Sequence, residues 1–320
     1  MRETKRILVL AEGAQYRDAA RAVSARFAGQ VAVLPEGVAF EQALVQWRAS
    51  RVGEPDSHAR GDSRGDSRSR GGCRGDSRGD CSSRGDCRGD CRGDAVGEHT
   101  LAVRVGADGM SLIDLEPPHR CLRVDFAQPR LLRRLRGCAG REPLVHALRG
   151  KAARATTVLD ATAGLGVDTA IAASRGLRVI AVERHAVLAA LLRDGLSRAS
   201  LDERTRSIAE RITLMEADAT AVLRDLGAAN EPCVAYLDPM FADAAHKSAL
   251  PSGAMQLVRA LLHQEGASPQ AENVADLLEA ARAAAPRVVV KRPRTAPPLA
   301  GSAPHHSVRE RTCRFDVYVR

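Results

Sequence analysis

Short apolar runs alternate with amphipathic segments over the second half of the chain, and this alternation predicts a sheet covered by helices. The apolar runs predict strands at 156–159, 178–182, 212–215, 233–237, 287–290 and 314–319. The amphipathic segments predict helices at 168–174, 185–197 and 219–226. Strands that alternate with helices in this way are typical of a doubly wound α/β fold with a mainly parallel sheet.

The first part of the chain predicts a smaller α+β domain. Its predicted elements are a helix at 16–27, strands at 6–10, 31–34 and 122–126, and a hairpin of two strands at 100–105 and 110–115. The hairpin is indicated by two alternating segments that flank the turn residues Ala107, Asp108 and Gly109. We therefore expect a small α+β domain at 1–125 and an α/β domain at 126–320.

A low-complexity segment interrupts the small domain. Between Arg60 and Asp94 the tripeptide RGD occurs seven times, with no aliphatic or aromatic residue. Such a sequence cannot offset the entropy of ordering, so we expect a disordered insert at about 55–98. A cell-adhesion role for RGD is disfavoured because the sequence has no secretion signal. A tandem expansion tolerated in a surface loop is the favoured interpretation.

Charge and cysteine content narrow the class of protein. The net charge is +9, and the repeat segment has nine Arg against seven Asp, so the remainder must hold most of it. This excess suggests a polyanionic partner, although a basic solvated surface has the same composition. No apolar run approaches 18 residues, so we expect a soluble, cytoplasmic protein without a membrane partner. The eight cysteines lack CxxC spacing, which predicts free thiols and no metal site.

The candidate site begins at the first strand of the α/β domain. In the stretch TTVLDATAGLGVD at 156–168, Asp160 ends a strand and a loop with Gly164 and Gly166 leads into a helix. Such a unit binds a ligand against its glycine backbone and helix N-terminus. The next strand ends at Glu183, where this fold places a carboxylate for ribose hydroxyls. A nicotinamide fingerprint needs glycine or alanine where Thr169 stands, which disfavours a dinucleotide.

These residues resemble motif I of class I methyltransferases, which use S-adenosylmethionine, although Thr162 stands where a first glycine is usual. Asp218 follows the third strand; in class I methyltransferases an acid there meets the adenine amine, and the alternative is a helix N-cap. The fourth strand leads into Asp238-Pro239-Met240-Phe241. This resembles the (D/N)PP(Y/F) motif of enzymes that methylate exocyclic amines of adenine or guanine.

The chemistry of an aryl amine explains such a motif. Its lone pair is delocalised into the ring, so the nitrogen is a poor nucleophile. A carboxylate and a backbone carbonyl that accept both N–H bonds orient the lone pair toward the methyl group, and an aromatic side chain stacks on the base. Asp238, the carbonyl of Pro239 and Phe241 are the candidates for these roles. Met240 replaces the second proline of the motif.

The resemblance extends over nearly all of residues 122–320. Together with DATAGLGVD, the segments YLDPMF at 236–241, KSAL at 247–250, VVVKRP at 288–293 and RFDVYV at 314–319 resemble the J-type ribosomal RNA small subunit methyltransferases, the 16S rRNA (guanine-N2)-methyltransferase family. This implies a Rossmann-like class I fold with a seven-stranded sheet whose final strand is antiparallel. It also implies S-adenosylmethionine as the cofactor and 16S ribosomal RNA or the small ribosomal subunit as the partner.

Carried over residue by residue, the resemblance implies two sets of site residues. The implied catalytic residues are Asp238, Pro239 and Phe241. The implied cofactor-binding residues are Gly164, Val167, Asp168, Glu183, Arg184, Asp218, Ala219 and Asp238. Relatives can carry arginine at the position of Val167. A contact shared by valine and arginine can involve only the backbone, so Val167 can contribute only its backbone.

A basic stretch precedes the glycine loop. Between residues 125 and 155 only Asp125 and Glu142 oppose eight basic residues, namely Arg130, Arg133, Arg134, Arg136, Arg141, Arg149, Lys151 and Arg154. A solvated helix face is one interpretation, and we favour a ridge that contacts phosphates. Cys138 and Ala139 stand where the family has glycines. Lys291 has two open interpretations, a partner for a substrate phosphate or a cap on the sheet edge in solvent.

Other functions stay open from the residues alone. An amine methyltransferase that acts on DNA or on another RNA has the same motifs. A non-catalytic RNA-binding relative is disfavoured because the cofactor loop and the Asp238 motif are both intact. An NAD oxidoreductase is disfavoured by Thr169.

Overall fold

A computed structural model describes residues 7–26, 30–34, 42, 101–116, 119–137, 142–150, 157–229, 233–239, 253–264 and 271–320. Apart from residue 42, they belong to one compact unit made of residues 1–36 and 98–320. The predicted insert at about 55–98 lies outside the described residues. The predicted division of the chain at residue 125 stays a prediction.

The first sheet has five strands and mixed direction. Its order is β2-β1-β3-β4-β5, in which β2 and β3 are parallel to the β1 strand between them, β4 is antiparallel to β3, and β5 is antiparallel to β4. The elements are β1 (Leu8–Glu12), α1 (Arg17–Ser24), β2 (Gln30–Leu34), β3 (Leu101–Gly106), β4 (Gly109–Asp114) and β5 (Cys121–Leu122). All of them derive from residues 8–122, the part of the chain for which the sequence predicts α+β structure.

The predicted hairpin is confirmed, and the strand predicted after it is wrong beyond Leu122. In the hairpin, β3 and β4 pair up to Gly106 and Gly109, and Gly109 has a positive φ of 94° that suits a tight turn. Only two residues of β5 pair with β4. Val124 and Phe126 are buried without strand pairing. Val124 packs against Gly195, and Phe126 lies beside Gly166. Sequence periodicity does not distinguish such burial from that of a strand.

The second sheet has the seven strands that the resemblance implies. Its order is β11-β12-β10-β9-β6-β7-β8, in which β8, β7, β6, β9 and β10 are parallel and β12 is antiparallel to β10. The strands are β6 (Thr157–Asp160), β7 (Arg178–Glu183), β8 (Ile212–Glu216), β9 (Val234–Leu237), β10 (Arg287–Pro293), β11 (His306–Arg309) and β12 (Cys313–Val319). The edge strand β11 was not predicted, because its sequence HSVR is polar and mostly exposed.

Helices connect and cover these strands. They are α2 (Pro129–Arg136), α3 (Pro143–Arg149), α4 (Val167–Ser174), α5 (Ala186–Leu201), α6 (Arg206–Ala209), α7 (Ala219–Ala229), α8 (Gly253–Gln264) and α9 (Ala271–Ala284). The central strand β9 is buried along its whole length, as expected for a parallel strand covered on both faces. Burial of this kind holds the strand ends, and the loops that follow them, in fixed positions.

The helix α5 joins the second sheet to the first. A β-carbon at Gly195, in the middle of this helix, would lie 2.5 Å from Cγ1 of Val124 and 3.0 Å from its carbonyl oxygen. Arg198 donates a hydrogen bond to the same carbonyl oxygen and forms an ion pair with Asp194 at 2.8 Å. The helix can lie this close to the segment after β5 because residue 195 has no side chain.

We expect Gly195→Val to lower the free energy of unfolding by about 1 to 3 kcal/mol, because the added carbons overpack the contact with Val124. For a protein of this size that corresponds to a fall in Tm of about 2 to 4 °C per kcal/mol. Ser197→Val is the matched control, since Ser197 is exposed on the same helix. Equal melting temperatures for both variants in a thermal scan would contradict the close contact.

Candidate active site

The carboxyl ends of neighbouring parallel strands bring the predicted acids together. Strand β6 ends at Asp160 and β7 ends at Glu183, while Asp238 follows the last residue of β9. Asp160 is paired directly with Tyr236 of β9. Lys291 lies on β10, the next strand along the sheet. In open α/β sheets this edge is where ligands bind.

The loop after β6 makes room for a ligand. Gly164 and Gly166 both have positive φ, 53° and 73°. A β-carbon at Gly166 would lie 2.5 Å from Cδ1 of Leu192, so this glycine allows close packing. At Gly164 the nearest atom to an added β-carbon is 3.9 Å away. Gly164 itself is buried, and the space on the side where a side chain would stand lies just before α4 begins.

Glu183 is buried against this loop. One of its carboxylate oxygens accepts a hydrogen bond from the backbone N–H of Gly164 at 2.9 Å, and the other accepts one from the N–H of His185 at 2.8 Å. Burial raises the pKa of Glu183, and the two backbone hydrogen bonds act against this rise. Each carboxylate oxygen has a second lone pair, so the group can also accept hydrogen bonds from ligand hydroxyls.

Two threonines occupy the positions at which this sequence departs from the glycine motifs. The hydroxyl of Thr169 donates to the buried carboxylate of Asp160, which also accepts from the backbone N–H of Thr162 at 3.2 Å. The hydroxyl oxygen of Thr162 accepts from the backbone N–H of Asp238 at 2.6 Å. Burial raises the pKa of Asp160 to about 7, against the effect of these hydrogen bonds. Thr162 therefore ties the glycine loop to the loop after β9.

Lys291 connects two of the predicted acids. Its Nζ donates to Oδ2 of Asp168 at 2.7 Å and to Oδ2 of Asp238 at 2.9 Å. The hydroxyl of Tyr236 donates to the same oxygen of Asp168 at 2.6 Å. The four side chains come from α4, β9, β10 and the loop after β9. They form one continuous network, which we call the Lys291 network: Tyr236, Asp168, Lys291 and Asp238.

Burial and charge set the protonation of this network. Burial lowers the pKa of Lys291, but Asp238 and Asp168 outweigh it, so the pKa is raised and the ammonium stays charged. Burial raises the pKa of Asp238, and the Lys291 ammonium opposes that rise. Burial also raises the pKa of Tyr236 well above its ordinary value, with Asp168 acting in the same direction. The phenol is therefore a neutral donor.

The remaining predicted residues lie outside the Lys291 network. Val167 and Arg184 are exposed to solvent. Asp218 is exposed, and its Oδ1 accepts from the N–H of Ala221 at 3.1 Å, which is the hydrogen bond of an N-cap residue. Ala219, the first residue of α7, is half-buried. Pro239 is half-buried, whereas Met240 and Phe241 lie outside the described residues, so the role of Phe241 stays a prediction.

Sequence reasoning missed the partners of four residues. Tyr236 is a polar residue in an otherwise apolar strand, and that signal could have identified it. Thr162 and Thr169 were noticed only as departures from glycine motifs. Lys291 was expected either to meet a substrate phosphate or to cap the sheet in solvent, but the structure pairs it with two carboxylates. Its partners depend on the order of strands in the sheet, which the sequence does not state.

The described residues include neither a metal-binding group nor a membrane-spanning helix. Among them, no three His, Cys, Asp or Glu side chains are grouped so that they could hold a metal ion. In the same part of the chain, Cys121, Cys233 and Cys313 form no disulfide bond. Of the helices in the described ranges, none is long and apolar enough to cross a membrane.

Three features of this site define a class I methyltransferase. They are the glycine loop after β6, the buried Glu183 at the end of β7, and the Asp-Pro sequence that follows β9. The family model for SAM-dependent methyltransferases, in which SAM is S-adenosylmethionine, matches residues 94–320. The chain belongs to this family, and within it to the group of the ribosomal RNA small subunit methyltransferase J proteins. The family expected from the sequence is thus confirmed.

The matches between this chain and its known relatives cover most of each relative's length. Ribosomal RNA small subunit methyltransferase J of Chromohalobacter salexigens is 41% identical over 233 residues, which are 70% of this chain and 88% of that protein. The protein of the same name from Dechloromonas aromatica is 39% identical over 225 residues, 69% and 89% of the two chains. A crystal structure of a SAM-dependent methyltransferase from Neisseria gonorrhoeae is 34% identical, with a TM-score of 0.54, and the match covers 68% of this chain and 82% of that chain.

The residues present fit S-adenosylmethionine. The space at Gly164 lies beside the carboxylate of Glu183, which has lone pairs left for ribose hydroxyls. Asp168 and Asp238 face the single ammonium of Lys291, with the buried Asp160 nearby. This excess of carboxylates suits a cofactor that carries sulfonium and ammonium charges.

We expect Glu183→Gln to weaken SAM binding by about 1 to 3 kcal/mol, because the amide brings an NH₂ group against a backbone N–H and removes a charged acceptor. Isothermal titration calorimetry measures the change in Kd. Glu216→Gln is the matched control, since Glu216 is the register partner of Glu183 at the end of β8 and is exposed. An unchanged Kd for Glu183→Gln would exclude Glu183 from the ribose role.

Proposed function

We propose that this protein transfers the methyl group of SAM to the exocyclic N2 amine of a guanine in 16S ribosomal RNA. The observation that carries this proposal is the position of Asp238. Its half-buried carboxylate follows the central strand β9, and its backbone is bonded to the glycine loop through Thr162. An acceptor for an amine thus lies next to the loop proposed for the cofactor. The names of the relatives support ribosomal RNA as the substrate.

On the cofactor side, each proposed contact follows from the chemistry of the residue. Glu183 accepts from the ribose hydroxyls, and the backbone of Gly164 and Val167 lies along the cofactor. The remaining proposed contacts are Asp168, Arg184, Asp218, Ala219 and Asp238. When bound, SAM supplies a methyl group that is already activated by its attachment to a sulfonium. The protein then has mainly to position the amine in line with that methyl group.

On the substrate side, Asp238 and the carbonyl of Pro239 accept the two N–H bonds of the guanine amine. These hydrogen bonds turn the nitrogen lone pair toward the methyl group, and Phe241 stacks on the base. After transfer, the nitrogen carries one proton too many. Asp238 or water accepts that proton, and the burial that raises the pKa of Asp238 makes its carboxylate the better base. A ribosomal RNA substrate also implies that the protein acts in the cytoplasm.

We expect Asp238→Asn to lower kcat by about two or more orders of magnitude, the scale for loss of one preorganised electrostatic group. The measurement is methyl transfer from labelled SAM to 16S ribosomal RNA, with mapping of the modified guanine. Asp225→Asn, an exposed site on α7, is the control and should keep wild-type activity. Methylation of guanine N2 by Asp238→Asn at a comparable rate would overturn the role of this loop.

The basic stretch supplies a surface for the RNA backbone. Arg130, Arg133 and Arg136 are exposed on α2, whereas Arg134 is held by Glu142 at 2.8 Å. Arg133, Arg136 and the exposed Arg204 line a shallow depression of about 430 Å³. Arg141, Lys151 and Arg154 lie outside the described residues. We propose that the exposed arginines of α2 contact RNA phosphates rather than only solvent.

For the double variant Arg133→Ala/Arg136→Ala we expect weaker RNA binding and a shallower salt dependence. Each lost phosphate contact should reduce the slope of log K against log salt by about 0.7 to 0.9. Filter binding of 16S ribosomal RNA across a salt series measures this slope. Arg17→Ala/Arg224→Ala removes the same charge from exposed sites on α1 and α7. Equal slopes for the two double variants would favour the solvated-face interpretation.

A further inference from the structure

Lys291 is placed where it controls the carboxylate proposed to meet the substrate. Its ammonium lies between Oδ2 of Asp168 at 2.7 Å and Oδ2 of Asp238 at 2.9 Å. The side chain is only partly exposed, so solvent screens these ion pairs less than it screens pairs on the surface. A lysine at a sheet edge without such partners would extend into water. Here it is held by two anions from different elements.

The other end of the Lys291 network is fixed in the core. Tyr236 is 2% exposed in the central strand β9, and its hydroxyl donates to Oδ2 of Asp168 at 2.6 Å. Asp168 therefore has two donors on one oxygen and cannot turn away from Lys291 without losing both. The position of the ammonium is thus set by packed residues of α4, β9 and β10.

The same contacts determine how Asp238 presents its carboxylate. Its backbone N–H is bonded to Thr162, and Lys291 holds Oδ2. None of the described residues donates a hydrogen bond to Oδ1 of Asp238. The carboxylate is therefore fixed at two points, and one oxygen is left to accept a hydrogen bond from a substrate amine.

We propose that Lys291 is a positioning residue for methyl transfer, which acts through Asp238 by holding its carboxylate ionised and oriented toward the substrate amine. This proposal rests on the proposed function of Asp238 as the acceptor of the amine N–H. Lys291 itself is not required to touch the substrate.

The charges around Asp238 favour this role. Burial raises the pKa of Asp238, the nearby carboxylate of Asp168 adds to the rise, and Lys291 is the strongest group that opposes it. Arg292 also opposes the rise, but its guanidinium is buried and bonded to the carbonyl of Pro297 at 2.8 Å. The other titratable or charged groups that face the Lys291 network are Asp160 on β6, Arg134 on α2 and Cys313 on β12, and Glu310 lies beside the last two.

The sign of the pH effect follows from these charges. Methyl transfer needs Asp238 ionised, so kcat falls as pH drops through its pKa in the complex. Removal of the Lys291 ammonium lets that pKa rise, and the fall then occurs at a higher pH. Removal of the negative charge of Asp168 has the opposite effect. The two substitutions should therefore move the acid limb of the profile in opposite directions.

The test is the pH profile of kcat at saturating SAM and ribosomal RNA. We expect Lys291→Met to move the acid limb upward by about one pH unit or more, so that kcat at a pH on that limb falls by about tenfold or more. Activity should recover as pH rises. Lys291→Arg keeps the charge and should keep the acid limb near that of wild type. Arg224→Met, which removes an exposed charge from α7, should leave the profile unchanged.

A second variant keeps the proposal testable if Lys291→Met does not fold, as judged by circular dichroism and Tm. Asp168→Asn retains the shape of the side chain and should move the acid limb downward. A folded Lys291→Met with a wild-type profile, or with activity lost equally at all pH values, would overturn the positioning role. So would an upward shift in Asp168→Asn. Failure of the proposed function is distinct, because wild-type protein would then not methylate guanine N2 in ribosomal RNA.

Discussion

Buried carboxylates need donors, and the architecture of this site follows from that requirement. Asp160 is satisfied by Thr169 and a backbone N–H, Glu183 by two backbone N–H groups, and Asp168 by Tyr236 and Lys291. These donors come from strands β9 and β10, the glycine loop, the turn after β7 and helix α4. The acids can therefore be gathered at one sheet edge only if the surrounding loops are held in place.

A consequence is that the cofactor side and the substrate side are one bonded unit. Thr162 belongs to the glycine loop yet holds the backbone of Asp238, and Asp168 belongs to α4 yet shares its ammonium partner with Asp238. The basic helix α2 is joined to the same unit. Arg175, at the end of α4, donates to the backbone carbonyls of Arg134 and Leu135. The helix that carries the proposed RNA surface is thus hydrogen-bonded to the end of the helix that follows the loop proposed for SAM.

Local sequence was enough to predict the alternation of strands and helices, because apolar periodicity and glycine loops are local signals. The same signals identified Asp160, Glu183 and Asp238 as acids at strand ends. They failed where burial had another cause: Val124 and Phe126 alternate like a strand but pack under helices. They also failed for the polar edge strand β11. The partners of Lys291 depend on β10 lying next to β9, a neighbourhood created by tertiary structure alone.

The parallel arrangement of β2, β1 and β3 affects how this chain can change over evolution. Because β2 and β3 both run parallel to β1, the chain must cross the length of the sheet between Leu34 and Leu101. A crossover of about a dozen residues is sufficient for such a connection, and residues 35–100 far exceed it. Closure entropy grows only with the logarithm of length. Extra residues between these two strands therefore add little to the entropic cost of closing the crossover, so the connection can lengthen while the strand register stays the same.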